Sequence, residues 1–463
     1  MSTEALAPAM FACLALVLMI GFPVAFSVAA VAAVFGAIGV ASGQFPAPFL
    51  LAGTLRVEGF FNNDNLLAIP LFVSMGMVLE RSGLAADMLL ALDELFGSVR
   101  GGIAYAVVLV GGSLAAITGF VSAAVIGIAL MALPPMLRKG YDARLATGLI
   151  AATGTLAQIL PPSLVLIVLA EQLEVPLTDM YRGALLPSVS LAGLYLLYIF
   201  FVTRRWPERA PSGRTADSGQ PATRRWANAL VAAVFPIALI LLVLFSIFFG
   251  IATPSEGGAV GASGTVLLGF ARRRLDLHKL GQAMEAAGVL CSGLLFLLFG
   301  ASFFTLVFRG LDGQQWIESL FAHLPAGPLG FLVFVNIAVF LLAFFLDFFE
   351  IAFIVLPLIE PVARKLGIDM TWLAVLLAVN LQTSFMHPPF GIALYNLRSV
   401  APPFVRTTQI YRGAIPFLLI QVLLVALLIA MPSIVLKNDV APVSIDNVEI
   451  PMPPRDDDGP SAK

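Results

Sequence analysis

Apolar residues run almost without interruption from Ala7 to Leu436. They come in stretches whose length suits a bilayer better than a soluble core. A helix needs about 20 apolar residues to cross the hydrocarbon layer. Candidates are 8–40, 103–134, 144–170, 181–203, 228–251, 255–270, 329–360, 371–399 and 413–436. Two further stretches, 66–80 and 290–308, are short or interrupted. Segments of that kind can be re-entrant where protein or a water-filled cavity covers their irregular backbone. The N-terminal run MSTEALAPAMFACLALVLMIGFPVAFSVAA lacks a basic lead-in and stays apolar beyond the reach of a signal peptide, so it reads as a retained first membrane helix. The pattern predicts an all-α polytopic membrane protein.

Polar stretches divide the chain. The pattern predicts a first membrane repeat over 1–203, an Arg-rich linker over 204–227, a second membrane repeat over 228–437 and a disordered tail over 438–463. The linker carries Arg204, Arg205, Arg209, Arg214, Arg224 and Arg225 among Pro, Gly and Ser, which places it in the cytoplasm. Arg272, Arg273 and Arg274 return to that side after two spans. The halves resemble each other. Shifted by 227 positions, Pro134, Gly140, Asp142, Leu149, Ala151, Pro161 and Pro162 meet Pro361, Gly367, Asp369, Leu376, Ala378, Pro388 and Pro389. A shift of 230 brings Tyr181-Arg182-Gly183-Ala184 onto Tyr411-Arg412-Gly413-Ala414. Internal duplication of this kind is a common plan of secondary transporters, with sites at broken helices near the midplane. An odd number of crossings per half makes the two halves inverted.

Composition removes other classes. Of 463 residues 59% are hydrophobic and 12% charged, against a usual ~25% charged, and the mean hydropathy is +0.97. Too few polar residues exist to cover a soluble surface, so lipid takes the place of water around the chain. A net charge of -2 without a long basic stretch argues against nucleic-acid binding. Cys13 and Cys291 lie in apolar runs and read as small core residues. Walker A, CxxC and HExxH patterns are missing, and the three His, at 278, 323 and 387, are far apart, so neither ATP hydrolysis nor a metal enzyme is indicated.

The chemistry is carried by polar residues at interruptions of apolar runs. GLIAATGTLAQILPPSLVLIV and its partner VNLQTSFMHPPFGIALYNL each place small or polar residues before a Pro-Pro pair, Pro161-Pro162 and Pro388-Pro389. Proline breaks the helical ladder. Freed carbonyls, with oxygens of Thr153, Thr155, Asn380, Gln382, Thr383 and Ser384, suit a desolvated hard cation such as Na⁺. The competing reading is a structural kink with hydroxyls bonded to their own helix. In GGSLAAITGFVSAAVIG, Thr118, Gly119 and Ser122 suit local unwinding or tight packing. Its partner AVFLLAFFLDFFEIAFIV carries Asp347 and Glu350, acids three apart on one helical face at a depth where charge is costly. These are either functional or buried structural acids. Asn62 to Asn65 read as a cap before Pro70, and Glu256 after Thr253-Pro254-Ser255 as a helix cap or an ion, partner or lipid contact. His387 is either a proton-coupling group or a hydrogen-bonded structural residue. Arg182 and Arg412 read as residues of helix ends.

Together, GFPVAFSVAAVAAVFG, LLAIPLFVSMGMVLERSG, GYDARLATGLIAATGTLAQILPPS, IATPSEGGAVGA and VNLQTSFMHPPFG resemble the large membrane subunit of TRAP transporters, the DctM-type permease, from about Gly21 to Leu436. The stretches LLFGASFFTLVFRGLDG, DFFEIAFIVLPLIEPVA and YRGAIPF look most like its mannitol/chloroaromatic branch. The resemblance implies an importer in the bacterial inner membrane driven by a Na⁺ gradient. A periplasmic solute-binding protein delivers a small organic acid, a small four-helix membrane subunit accompanies the permease, and no cofactor beyond the coupling ion is used. It implies an elevator-type transport domain with two helical hairpins, and Na⁺ sites around Thr118–Ser122, Thr153–Thr155 with Gly154, Asp347 and Asn380–Thr383. This chain departs from the family pattern at the first small-residue block and in having His387 where Thr is usual before the second Pro-Pro. Competing readings are an ion- or proton-coupled anion transporter without a binding protein, a passive channel and a membrane enzyme. Duplicated interrupted segments favour transport; an enzyme would have only Asp347, Glu350 and His387 to work with.

Overall fold

The computed structural model describes residues 5–96, 99–211, 222–322, 327–344, 346, 348–388 and 391–436. Among them the regular structure is helical and no strand occurs. The first half comprises α1 (Leu6–Met19), α2 (Val24–Ala41), α3 (Ala52–Phe61), α4 (Asp64–Ser82), α5 (Leu84–Phe96), α6 (Gly102–Thr118), α7 (Val121–Arg138), α8 (Ala143–Thr155), α9 (Leu164–Gln172) and α10 (Leu177–Arg205). The second comprises α11 (Ala222–Phe248), α12 (Pro254–Ala271), α13 (Leu277–Gly310), α14 (Gly313–Ala322), α15 (Gly327–Leu342), α16 (Phe348–Glu350), α17 (Leu356–Lys365), α18 (Met370–Met386), α19 (Ile392–Val400) and α20 (Thr407–Ala430). A π-helical turn, Ile351–Val355, joins α16 to α17.

The duplication is visible in the element boundaries. α7 and α16 begin 227 positions apart, as do α8 and α18, while α2 and α12, and α10 and α20, begin 230 apart. The signals that start the helices are duplicated too. Asp142 caps α8 by accepting from the Arg144 backbone N–H, and Asp369 caps α18 by accepting from that of Trp372. Each cap follows a glycine in the left-handed region, Gly140 (φ 83°) and Gly367 (φ 70°), which ends the preceding helix. Asn63 caps α4, and Thr253 with Glu256 forms a capping box on α12.

Several apolar runs are divided where the sequence reads as continuous. The stretch 8–40 turns between α1 and α2, because Gly21 (φ 89°) and Pro23 stop one helix and start the next. The interrupted stretch 66–80 is one helix that passes through Pro70, and 290–308 lies inside the long α13. The ends of the linker are helical: α10 continues through Arg204 and Arg205, whose charges suit a helix C-terminus, and α11 begins at Ala222. The tail beyond 436 lies outside the described residues.

Pairing between the halves is reciprocal. α12 packs along α4 and α13 along α2, their counterparts exchanged. The closest crossing joins α8 to α20. A Cβ on Gly148 would lie 2.0 Å from the Gly413 carbonyl oxygen, and one on Gly413 would lie 2.1 Å from that of Arg144. The equivalent crossing sets Gly183 of α10 beside Thr371 and Val375 of α18. In lipid no hydrophobic force draws helices together, so such small-residue contact, which lets backbones approach, carries association. Large apolar side chains such as Phe22, Phe26, Phe249, Leu267 and Leu419 stay outward, suited to acyl chains.

In each half two helices form a hairpin: α6 turns at Gly119 into α7, and α15 turns after Leu342 into α16 and α17. α7 is long and apolar enough to cross a membrane, yet the pair returns the chain to the side it came from. In the second half α13 and α20 are long and apolar enough to cross; with one crossing each by α11, α12 and the α18–α19 pair the number is odd, which inverts the halves. Single cysteines at Gly140 and Gly367, in a background lacking Cys13 and Cys291, should therefore be labelled from opposite sides of the membrane; same-side labelling would refute inversion. Gly413→Ala should lower stability by about 1–3 kcal/mol through overpacking against α8, read as a drop in the thermal midpoint, whereas Gly193→Ala, with nothing within 4 Å of the added carbon, should leave it unchanged.

Candidate functional site

Four irregular segments meet. The first is the tip of hairpin one, where α6 ends at Gly119 (φ 63°), Phe120 is extended and α7 begins. A Cβ on Gly119 would stand 3.0 Å from that of Leu164, the first residue of α9. The second is the break between α8 and α9, residues 159–163, where Pro161 and Pro162 lie outside helical structure and the Ser163 hydroxyl donates to the Gln158 carbonyl at 2.8 Å. The third is the tip of hairpin two, before Phe348. The fourth is the break between α18 and α19. There His387 and Pro388 end α18, and Gly391 donates its backbone N–H to the His387 carbonyl at 2.9 Å.

These segments line one cavity of about 380 Å³. Hairpin one contributes Gly119, Phe120 and Ser122, the first break Gln158 and hairpin two Phe348, Phe349 and Glu350. Val289, Leu290, Gly293, Leu294 and Leu297 of α13 form the opposite wall. The rings of Phe120 and Phe349 bring the two tips to 5.8 Å. The His387 imidazole stacks on Phe344 at 3.8 Å and meets the edge of Phe340, which ties the second hairpin to the second break. Helices α7, α9, α19 and the run from α16 into α17 all start at this cavity, so their positive ends converge on it. No Lys or Arg is among its described lining residues.

The sequence-selected residues divide into groups. Gly119, Ser122 and Glu350 line the cavity. Thr153, Gly154 and Thr155 lie in the last turn of α8, and Asn380, Gln382 and Thr383 in the last two turns of α18, all buried. Thr153 packs on Gly111 of α6, and Asn380 donates its amide to the Asn336 carbonyl of α15 at 2.8 Å, so equivalent positions hold each broken helix to the first arm of its own hairpin. Gly154 is required by close approach: a Cβ there would lie 2.3 Å from the Val125 side chain.

Hydrogen bonding separates the oxygens. Thr155 donates to the Ala152 carbonyl and accepts from Gln421, which also donates to Tyr195, so its hydroxyl serves a structural network. Thr383 and Ser384 bond carbonyls of their own helix, the structural alternative raised above. The Thr153 hydroxyl, both polar atoms of the Gln158 and Gln382 amides and both ring nitrogens of His387 are buried and have no hydrogen-bond partner among the described residues. Asp347 and Pro389 lie outside the described residues, as does the Thr118 side chain.

Comparison with known proteins bears on this arrangement. The model of the DctM component of the tripartite ATP-independent periplasmic transporter matches residues 11–434. The chain belongs to this family. It is a multi-pass inner-membrane permease component, and the relatives it matches are transporter permeases rather than enzymes. The C4-dicarboxylate TRAP transporter large permease protein DctM of Pseudomonas aeruginosa is 28% identical over 385 residues, 82% of this chain and 88% of that protein. The isethionate TRAP transporter permease protein DctMQ of Oleidesulfovibrio alaskensis is 26% identical over 428 residues, 91% of this chain and 64% of that protein. Among solved structures, the YdaH transporter of Alcanivorax borkumensis superposes with a TM-score of 0.57 at 18% identity, over 88% of this chain and 96% of that one, a likeness of fold alone.

Sequence reasoning on this DctM-family chain missed Gln158, Phe120 and the whole α13 wall. A glycine inside a helix costs about 1 kcal/mol relative to alanine, but α13 carries several, and only the structure shows that Gly293 has nothing within 4 Å of an added Cβ and lines the cavity. Gly293→Phe should fill the cavity and abolish uptake while leaving the thermal midpoint in detergent near wild type. Full uptake by the variant would exclude the cavity from the transport path.

Proposed function

We propose that the chain is the large permease subunit of a TRAP-type secondary transporter that imports an organic acid by Na⁺ coupling. A periplasmic binding protein delivers the substrate and a small four-helix membrane subunit completes the assembly. The reading rests chiefly on one observation: two hairpin tips and two helix breaks, one set from each inverted half, converge on a single cavity. Convergence of this kind suits a site exposed alternately to the two sides, carried by an elevator-type movement of the hairpins and broken helices against a scaffold that includes α13. The names of relatives that transport C4-dicarboxylates and isethionate support an anionic substrate.

An anion in a cavity without lysine or arginine needs another source of positive potential. The four helix N-termini supply part of it. Bound Na⁺ supplies the rest, which gives a physical reason for coupling, because a cation near the hairpin tips stabilises the anion beside it. The buried Thr153 hydroxyl and the Gln158 and Gln382 carbonyl oxygens are the kind of hard ligand Na⁺ takes, and Asp347 is kept as a candidate from its sequence position.

Proteoliposomes holding the permease, the small subunit and the substrate-loaded binding protein test the proposal. Uptake should follow an imposed inward Na⁺ gradient and stop without the binding protein. Uptake indifferent to Na⁺ but following a proton gradient would replace Na⁺ coupling with proton coupling and direct attention to His387. Thr153→Val removes an oxygen with no hydrogen-bond partner among the described residues and keeps the methyl group that packs on Gly111, so it should leave the thermal midpoint near wild type and raise the Na⁺ concentration for half-maximal uptake. Thr155→Ala removes a partner of Gln421 and should instead lower stability by about 1 kcal/mol with little change in Na⁺ dependence.

A further inference from the structure

Away from the hairpin cavity, α3 and the outer end of α13 face α9 and α17 across a second opening of about 370 Å³. Its side follows from the crossing order: α13 leaves the cytoplasmic Arg272–Arg274 cluster and ends at Arg309, so the opening is periplasmic. Basic residues there run against the usual bias. Arg56 and Arg309 both line the opening, close enough for their charges to repel. Among the described residues neither takes part in an ion pair: Arg56 reaches the Ser302 carbonyl and Arg309 that of Pro357, each at 3.4 Å.

The carboxylates of the same opening are already engaged. Glu171 accepts from the Asn63 amide at 2.5 Å. Glu360 pairs with Arg364, whose guanidinium also lies 3.6 Å from Glu174. The Glu171 partner is a neutral amide, so its charge shares the opening with the two guanidinium groups, which have no acid within ion-pair distance among the described residues.

Directly beside this opening lies a mostly apolar cavity of about 230 Å³. Phe60, Asn63, Leu298 and Phe353 line both, so the charged and apolar spaces are continuous. Leu66, Ile69, Cys291 and Leu294 complete the apolar walls. At its margin Phe61 is 72% and Leu67 57% exposed, as outward-facing membrane residues are.

We propose that the paired cavities are a glycerophospholipid site. The phosphate sits between Arg56 and Arg309, and one acyl chain fills the apolar cavity behind Phe60 and Leu298. Guanidinium groups match phosphate oxygens in charge and fork geometry. A small organic acid accounts for the arginines and leaves the adjoining apolar cavity without an occupant, whereas a phospholipid uses both. The lipid stands between α4 and α13 on one side and α9 and the second hairpin on the other, where those elements would otherwise meet across a void.

Native mass spectrometry of the full-length chain after extensive detergent washing tests this, with phosphatidylethanolamine and phosphatidylglycerol added back separately. Wild type should retain phospholipid. The double variant Arg56→Gln/Arg309→Gln should retain about tenfold less, a loss of about 1.4 kcal/mol. Cys291→Trp, which fills the apolar cavity and keeps both arginines, should lose it similarly. The Arg56→Lys/Arg309→Lys pair keeps the charge and should retain more than the Gln pair, a comparison that stands even if the Gln pair folds poorly. Equal retention by all variants would overturn the proposal. So would displacement of the lipid by succinate, a four-carbon dicarboxylate, which would make the opening a soluble-anion site. The readout needs no transport, so a failure of Na⁺-coupled uptake would leave it unaffected.

Discussion

An unpaired backbone N–H or carbonyl in the hydrocarbon layer costs several kcal/mol, and no water is there to relieve it. That constraint governs where this chain can stop being helical. The break at 159–163, the described edges of the second break at His387 and Gly391, and the turn at Gly119 lie inside the protein, walled by α13, by the hairpins and by each other. Covering them requires helices to come close, and the closest approach is the backbone contact of Gly148 with Gly413. The cavity is thus a consequence of packing as much as of the proline pairs that border it.

Inversion of the halves explains why the cavity has the composition it has. Each half brings a hairpin and a broken helix, and a two-fold relation in the membrane plane turns all four toward the same depth. Their helix starts turn positive potential toward a cavity whose described lining holds no Lys or Arg. The duplicated positions Thr153 and Asn380 do the same packing work, each binding a broken helix to its own hairpin arm. They have diverged chemically: the amide of Asn380 is committed to Asn336, and the Thr153 hydroxyl is committed to nothing among the described residues. The two halves are equivalent in shape and unequal in what they offer an ion.

The fold was legible to the extent that local signals specify it. Apolar length, the Arg-rich linker and the register of Gly-x-Asp and Pro-Pro announced helices, sides and duplication, because capping and helix breaking act within a few residues. The candidate site was only half legible. Gly119, Ser122 and Glu350 betrayed themselves as interruptions in apolar runs, and all three line the cavity. Gln158 stood unnoticed among them. Thr155 carried the same signal as Thr153, yet its hydroxyl is bonded to Ala152 and Gln421. Nothing near Thr155 in sequence announces Gln421, which lies 266 positions away.

The amino-acid order by itself determined the class of molecule, the helix starts at Asp142 and Asp369 and the break at Pro161-Pro162. Each depends on interactions between neighbours or between a segment and its solvent. Only the tertiary structure decided that the breaks share one cavity, that α13 closes it, and that Arg56 and Arg309 face each other across another. Those outcomes depend on pairings between segments hundreds of residues apart, made by shape rather than by any local pattern. A glycine such as Gly293 looks the same in a tight crossing as at the wall of an open space, and the packing around it tells the two apart.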